Sequence, residues 1–185
     1  MQTIATIEDV LEELKELEAQ RKVTLQQGAS QKAINKFTET HLLPHDYIRL
    51  LQYSNGLSIS SLHLRPLENL EHYVLVHLDG QEEEHELPFL YHFGNNRFGD
   101  MLFINLEQSS RAKNRKQRDI IYTNPELEET MFIAKSFTEF IRNVMKGLYE
   151  VNEKDASKNN HRYWQVSGFK GYDSYLEAQI QKVKK

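Results

Sequence analysis

The sequence contains no cysteine among its 185 residues, and this absence excludes several kinds of site. Disulfide bridges, thiolate-bound metals and a cysteine nucleophile all require a residue that the chain lacks. No apolar run approaches the roughly 20 residues that a transmembrane helix needs. The N-terminal stretch has neither the basic region nor the apolar segment of a signal peptide. We therefore expect a cytoplasmic protein that makes no contact with a membrane.

The chain also lacks a strong net charge. It has 23 basic and 27 acidic side chains, a formal net charge of -4 and a pI of about 6.1. A protein that binds nucleic acid non-specifically usually has a basic face, because phosphate contacts release counterions. The composition therefore predicts no direct nucleic-acid partner. Hydrophobic residues make up 39% of the chain, which is enough for one packed domain.

Motifs of common catalytic and metal sites are missing as well. The sequence has neither the HExxH zinc motif nor the GxSxG turn that carries a serine nucleophile. Two of the eight histidines, His41 and His45, have the spacing of metal ligands on a helix, but Pro44 interrupts the helix between them. We therefore predict no metal, no cofactor, no catalytic residue and no enzymatic activity.

One glycine-rich stretch, residues 93–100, has two glycines at the spacing of a phosphate-binding loop. Asp100 and Met101 stand where such a loop has a lysine and a hydroxyl residue, and an aspartate would repel phosphate. The stretch instead predicts a turn between strands. In that turn we expect Gly94 and Gly99 to adopt positive φ, and Asp100 to bond backbone amides.

Apolar periodicity places helices first and strands after them. Residues 6–21, a segment after Ser30 and a segment after Pro44 have apolar side chains at helical spacing. Strand patterns follow Gly56, at 62–64, 73–78, 87–93, 98–106, 119–123 and 131–134. A capping box, Ser136 to Glu139, then starts a last helix over 137–148. These patterns predict an α+β fold, with N-terminal helices and a C-terminal helix packed against a mainly antiparallel sheet.

The chain is predicted to form one domain with an extension. Residues 1–149 form the α+β domain, and residues 150–185 form an extension that packs on the same domain. From residue 154 onward the extension has seven basic and three acidic side chains, and it includes a helical stretch over 175–183. Its charge opposes that of the first helix, whose outer face is acidic.

Two loops between predicted strands have charge of a single sign. Residues 79–86 contain five acids and no base, and residues 111–118 contain five bases and no acid. The simplest interpretation is solubility and protection of strand edges. The functional interpretation is a docking surface that steers a partner electrostatically. The candidate partner-binding residues are Asp79, Glu82, Glu83, Glu84 and Glu86.

The order of several short motifs resembles the SUKH superfamily. Leu43-Pro44-His45-Asp46-Tyr47, followed by Asn55-Gly56, is similar to the LPxDYxxxL…NG signature of that superfamily. Gly99-Asp100 before an apolar strand and the stretch 133–140 (IAKSFTEF) resemble its later landmarks. The similarity runs from about residue 30 to 148. The matching residues, which we interpret as mainly structural, are Leu43, Pro44, Asp46, Tyr47, Asn55, Gly56, Gly99 and Asp100.

The resemblance implies a function as well as a fold. Bacterial SUKH proteins are mostly implied to be immunity proteins, which bind and neutralise a cognate polymorphic or contact-dependent toxin, often a nuclease. Fungal relatives of the Smi/Knr type imply the alternative, a regulatory or scaffold module without a toxin partner. The expected partner is thus a protein. A third hypothesis, a small-molecule enzyme or ligand binder, would require a polar pocket near Asp46, Tyr47 and Asp100.

Overall fold

A computed structural model describes residues 6–59, 62–75, 85–96, 99–106, 120–124 and 129–150. The helices in these ranges are α1 (Ile7–Ala19), α2 (Gln31–Thr38), α3 (His45–Tyr53) and α4 (Phe137–Glu150), with a 3-10 turn at Leu67–Asn69. The strands are β1 (Val23–Leu25), β2 (Leu57–Ile59), β3 (Leu62–Leu64), β4 (Glu71–Leu75), β5 (His85–Asn96), β6 (Met101–Asn105), β7 (Ile120–Asn124) and β8 (Glu129–Ala134). None of these helices is long and apolar enough to cross a membrane.

The strands form one antiparallel sheet in the order β1-β2-β3-β5-β6-β7-β8, and β4 also pairs with β5. Strand β5 is the longest, and two strands share one of its edges. Its last residues, Gly94–Asn96, pair with β3, whereas β4 pairs with the part from His85 to His92. Strand β6 occupies the opposite edge of β5. The predicted α+β fold, with helices packed against an antiparallel sheet, is therefore confirmed.

The core lies between the helices and one face of the sheet, which we call the first face. Side chains at alternate strand positions point to it, as expected for a sheet covered on that side. All four helices contribute buried side chains to the same cluster. The buried residues of the first face include Ile59, Leu62, Tyr91, Phe93, Leu102, Ile104 and Ile120.

Helix α1 forms as its sequence predicts. The Thr6 backbone N–H donates to the Asp9 carboxylate over 2.6 Å, and the Asp9 N–H donates to the Thr6 hydroxyl over 3.3 Å, which completes a capping box. The apolar stripe is buried, with Leu14 and Leu17 fully inside. The helix ends at Ala19, and Arg21 adopts a φ of 59° just after its C-cap. The N–H groups of Arg21 and Lys22 donate back to Glu18 and Leu17, as in a Schellman motif.

One predicted conformation is wrong. Gly99 has a φ of +90°, as expected, but Gly94 lies inside strand β5 and does not have positive φ. A Cβ at Gly94 would lie 2.9 Å from the backbone oxygen of His63 and 2.9 Å from the Leu64 side chain. Glycine is therefore needed there because a neighbouring strand approaches closely, not because the chain turns.

Candidate functional site

The Asn55-Gly56 corner joins the end of α3 to the sheet. Gly56 has a φ of +110°, a conformation that glycine adopts without the strain of a Cβ. The Asn55 side-chain oxygen accepts from the Leu67 backbone N–H over 2.8 Å, and its amide donates to Glu68 over 2.9 Å. These bonds hold the 3-10 turn against the corner. The signature pair thus fixes the entry of the chain into the sheet.

A second backbone segment packs against the same end of α3. The Ala29 N–H donates to the carbonyl oxygen of Leu51 over 2.7 Å, which satisfies one of the last carbonyls of the helix. Gly28 approaches α3 so closely that a Cβ there would lie 2.0 Å from the backbone oxygen of Gln52. Real Cβ atoms do not come this close to backbone, so the position accepts no larger residue without a shift of the segment.

This approach gives a direct prediction about Gly28. Gly28→Ala is expected to lower the free energy of unfolding by about 3 kcal/mol, because the added methyl group must push the segment off α3. The matched control is Gly99→Ala, which adds the same methyl group in open space at positive φ. The control should cost only about 1 kcal/mol of backbone strain. Urea denaturation measures both, and equal losses would contradict the close packing.

The Asp46 carboxylate of α3 caps α4. Asp46 is buried, and its Oδ2 atom accepts from the Thr138 backbone N–H over 2.9 Å and from the Thr138 hydroxyl over 3.0 Å. The first N–H groups of a helix have no partner within the helix, and a negative charge there is favourable. Asp46 therefore ties the Leu43–Tyr47 motif to the Ser136–Phe140 motif, 92 residues further along.

The predicted capping box at the start of α4 is present in part. The Glu139 N–H donates to the Ser136 hydroxyl over 3.1 Å, as in a capping box. The Glu139 carboxylate, however, accepts from the backbone N–H of Lys135 over 2.8 Å. Together with Asp46, these groups provide acceptors for several of the amides that begin α4.

Tyr47 lies at the centre of an aromatic cluster. Its ring centroid is 4.6 Å from that of Phe137 and 6.0 Å from that of Phe93, and Phe93 is 5.7 Å from Phe140. All four side chains are almost completely buried. Burial raises the pKa of the Tyr47 phenol, and its hydroxyl has no hydrogen-bond partner within the described ranges. A buried hydroxyl without a partner is destabilising, so packing of the ring holds Tyr47 in place.

Asp100 closes the turn between β5 and β6. The Asn96 side-chain amide donates to the Asp100 carboxylate over 2.6 Å, and the Asp100 backbone N–H donates to the Asn96 side-chain oxygen over 3.0 Å. Both residues are buried. A side-chain amide is thus a partner of the Asp100 carboxylate, which the sequence pattern did not reveal.

The signature residues lie in the interior, with one exception. Leu43, Pro44, Asp46, Tyr47, Gly56 and Asp100 are buried, Asn55 is half-buried and Gly99 is exposed. Asp46, Asn55 and Asp100 bond to other residues of the chain, and the ring of Tyr47 packs on other rings. Their role as structural residues remains an interpretation, although each contact described here favours it.

A comparison with protein families decides which family the chain belongs to. The model of the SMI1 / KNR4 family (SUKH-1) matches residues 28–143, more than half of the chain. The chain belongs to the SUKH-1 family. Members of this family commonly act as immunity proteins and are generally not catalytic. Comparison with curated proteins gave no match, and comparison with solved structures gave none.

The SUKH-1 match leaves α1 and β1 outside, although both belong to the folded unit. The match begins at Gly28 and ends within α4. Helix α1 nevertheless contributes five buried side chains to the core, and β1 pairs with β2. The outer face of α1 is therefore rigidly attached to the SUKH-1 domain but is not part of the shared family pattern.

That outer face is acidic. Its exposed acids are Glu8, Asp9, Glu12, Glu16 and Glu18. Glu8 forms a two-bond ion pair with Arg49 of α3, over 2.8 Å and 3.0 Å, and this bond lowers the pKa of Glu8. Hydrogen bonds to Thr6 lower the pKa of Asp9. Both carboxylates are thus ionised at neutral pH. We call the five exposed acids together the acidic face of α1.

The other candidate surfaces fall outside the described residues. The acidic loop is undescribed from Asp79 to Glu84, and of Glu86 only the backbone pairing with Val74 is described. The basic loop, 111–118, and the extension after residue 150 are also outside the described ranges. In the part of the chain that is described, no group of three or more potential ligands is placed to hold a metal ion.

Proposed function

We propose that this SUKH-1 protein is an immunity protein, which binds and neutralises a cognate bacterial toxin domain through an acidic surface that includes α1. The observation that carries the proposal is the acidic face of α1, which is exposed, fixed to the core and outside the shared family pattern. A toxin that acts on nucleic acid requires a basic active-site surface, because its substrate is a polyanion. An acidic, preorganised surface is complementary to such a partner.

Rigidity of the surface matters as much as its sign. Helix α1 is held by its buried stripe, by its capping box and by the Glu8–Arg49 ion pair. A surface that is already ordered loses little conformational entropy on binding. Opposite charges accelerate the encounter, and dissociation is then governed by the buried contacts. These properties suit a protein that must reach a toxin before the toxin reaches its substrate.

Co-purification from the source cells tests the proposal. The large open reading frame next to the gene would be tagged, and its product isolated together with bound proteins. We expect the SUKH-1 protein to be recovered at near-stoichiometric yield with a toxin C-terminal domain, and to be released at high salt, which screens exposed charges. Recovery with housekeeping proteins alone would instead favour the regulatory or scaffold module.

Charge reversal on α1 tests the proposed surface. Glu16→Lys is expected to weaken toxin binding by about tenfold, equivalent to about 1.4 kcal/mol, and to reduce its dependence on salt. The matched control is Glu39→Lys at the end of α2, which makes the same charge change at another exposed position. Titration calorimetry at two salt concentrations measures both. Equal weakening by the two variants would show only a net-charge effect and would exclude α1.

The acidic loop is tested in the same assay. Glu82→Lys combined with Glu84→Lys should weaken binding and reduce its salt dependence if residues 79–86 contact the toxin. Unchanged affinity with an intact fold would remove this loop from the proposed surface and leave α1.

A further inference from the structure

A chain of side-chain hydrogen bonds crosses the outer surface of three helices. Arg49 of α3 donates to Glu8 of α1 over 2.8 Å and 3.0 Å, and its Nη1 atom donates to Gln52 Oε1 over 3.0 Å. Gln52 Nε2 donates to Gln31 Oε1 over 3.0 Å, and Gln31 Nε2 donates to Asn35 Oδ1 of α2 over 2.7 Å. Three of these side chains are exposed and the two from α3 are half-buried. We call these five residues the polar strip.

The direction of every bond in the polar strip follows from Arg49. A guanidinium group can only donate, so the Gln52 atom that faces it is the amide oxygen. The Gln52 nitrogen then faces Gln31, which accepts through its own oxygen, and the Gln31 nitrogen in turn faces Asn35 Oδ1. Within the described ranges no residue accepts from Asn35 Nδ2, so its N–H groups are open to a partner. The strip thus has a carboxylate at one end and N–H donors at the other.

Stability gives little reason for such an ordered strip. An exposed ion pair contributes little, because water screens it and two long side chains lose conformational freedom. Bonds between exposed amides likewise replace equally good bonds to water. The strip does fix orientation, since amide side chains that would otherwise rotate are held with one pattern of donors. A pattern that is already ordered loses less conformational entropy on binding.

We propose that the polar strip continues the toxin-binding surface from α1 to α2, and that its Asn35 end donates to a carbonyl oxygen of the toxin domain. This role rests on the proposed function, because the toxin domain is the partner. Glu8 belongs to both the acidic face of α1 and the polar strip, so the two surfaces are continuous. The donors at the Asn35 end are uncharged amides, and a neutral carbonyl oxygen is their complement.

The change of character along the strip gives the partner an orientation. Carboxylates on α1 attract any basic surface, but the donor end accepts only a surface that has an oxygen at the matching place. A partner with its own N–H group there leaves two donors facing each other without an acceptor, which lowers affinity. The acidic face therefore accelerates the encounter, and the polar strip selects which of several basic partners is retained.

Gln52→Glu tests the polarity of the strip without changing its shape. The new carboxylate still accepts from Arg49, but it cannot donate to Gln31, so the amides of Gln31 and Asn35 must turn over. Asn35 then presents an oxygen in place of its N–H donors. We expect toxin binding to weaken by about tenfold. The urea midpoint should stay the same or rise, because Arg49 gains a second carboxylate partner.

Gln20→Glu is the matched control, because it adds the same charge at an exposed position at the other end of α1 from Glu8. A basic toxin domain should bind this variant as tightly as it binds the unmodified chain, or more tightly. Titration calorimetry with the isolated toxin domain measures both variants. If Gln52→Glu binds as tightly as Gln20→Glu, charge alone explains the surface and the role of the polar strip is overturned.

Gln52→Met removes the same amide without adding charge. It should weaken binding severalfold and leave the salt dependence of binding unchanged, because the lost contacts are uncharged. Glu16→Lys, in contrast, is expected to reduce that salt dependence. Failure of the unmodified chain to bind the toxin domain would overturn the proposed function together with the role of the strip. Normal binding by both Gln52 variants would overturn the role of the strip alone.

Discussion

Asp46→Ala is expected to lower the free energy of unfolding by about 3 kcal/mol. The substitution removes the acceptor for the Thr138 N–H and hydroxyl, and it leaves the half-buried N-terminus of α4 without this negative charge. It also breaks a direct bond between α3 and α4, whose bonded residues lie 92 positions apart in the chain. The change in the urea midpoint, at unchanged slope, measures the effect.

Thr138→Val provides the control for Asp46. It retains the backbone N–H bond to Asp46 and loses only the hydroxyl bond, so it should cost about 1 kcal/mol. In the double variant the two losses should not add, because both substitutions remove the same contact. Additive losses, or a smaller effect for Asp46→Ala than for Thr138→Val, would show that the carboxylate does not cap α4.

Two substitutions of Tyr47 should act in opposite directions. Tyr47→Phe removes the buried hydroxyl without a partner and is expected to raise the free energy of unfolding by about 1 kcal/mol. Tyr47→Ala removes the ring that packs on Phe137 and Phe93, and should lower it by about 4 kcal/mol. Phe93→Ala, a truncation in the same cluster, should have an effect similar to that of Tyr47→Ala.

The pH dependence of stability, compared between the unmodified chain and Tyr47→Phe, gives a further check. Burial raises the pKa of Tyr47 in the folded state, so only the unfolded chain loses this proton just above its usual pKa of about 10. Stability from this group is therefore fully present below that pH and falls as the pH rises through it. Tyr47→Phe should reduce the decline in the urea midpoint at alkaline pH. A destabilised Tyr47→Phe would show that the hydroxyl has a partner.

Local sequence patterns were sufficient to predict most helices. The stripe of α1 and its Thr6–Asp9 box depend on residues within one or two turns, so they can be recognised without tertiary structure. The apolar pattern predicts the end of α1 at residue 21, two residues beyond Ala19. The true end is hard to recognise because Arg21 occupies a left-handed position where glycine is the usual signal. At the end of α3 the glycine signal is present, because Gly56, two residues after the C-cap Ser54, has a φ of +110°.

Long-range pairing was harder to predict. Strand β1 has only three residues and pairs with β2 across two intervening helices, so it has too little pattern to be recognised. Gly94 was assigned to a turn because glycine marks both turns and close approaches, and only the neighbouring strand distinguishes the two. The partners of Asp46 and Asp100 were likewise missed, since Thr138 and Asn96 become neighbours only after folding.

The sequence by itself determined the class of fold, the absence of thiol chemistry and the ordered motifs that resemble SUKH proteins. These properties follow from composition and short-range spacing, which do not depend on how distant segments meet. Only the tertiary structure decided that Asp46 of one motif caps the helix that another motif begins, that most signature residues lie in the interior, and that α1 presents a fixed acidic face. Such properties depend on contacts between residues far apart in the chain, and burial and hydrogen-bond geometry exist only once those contacts have formed.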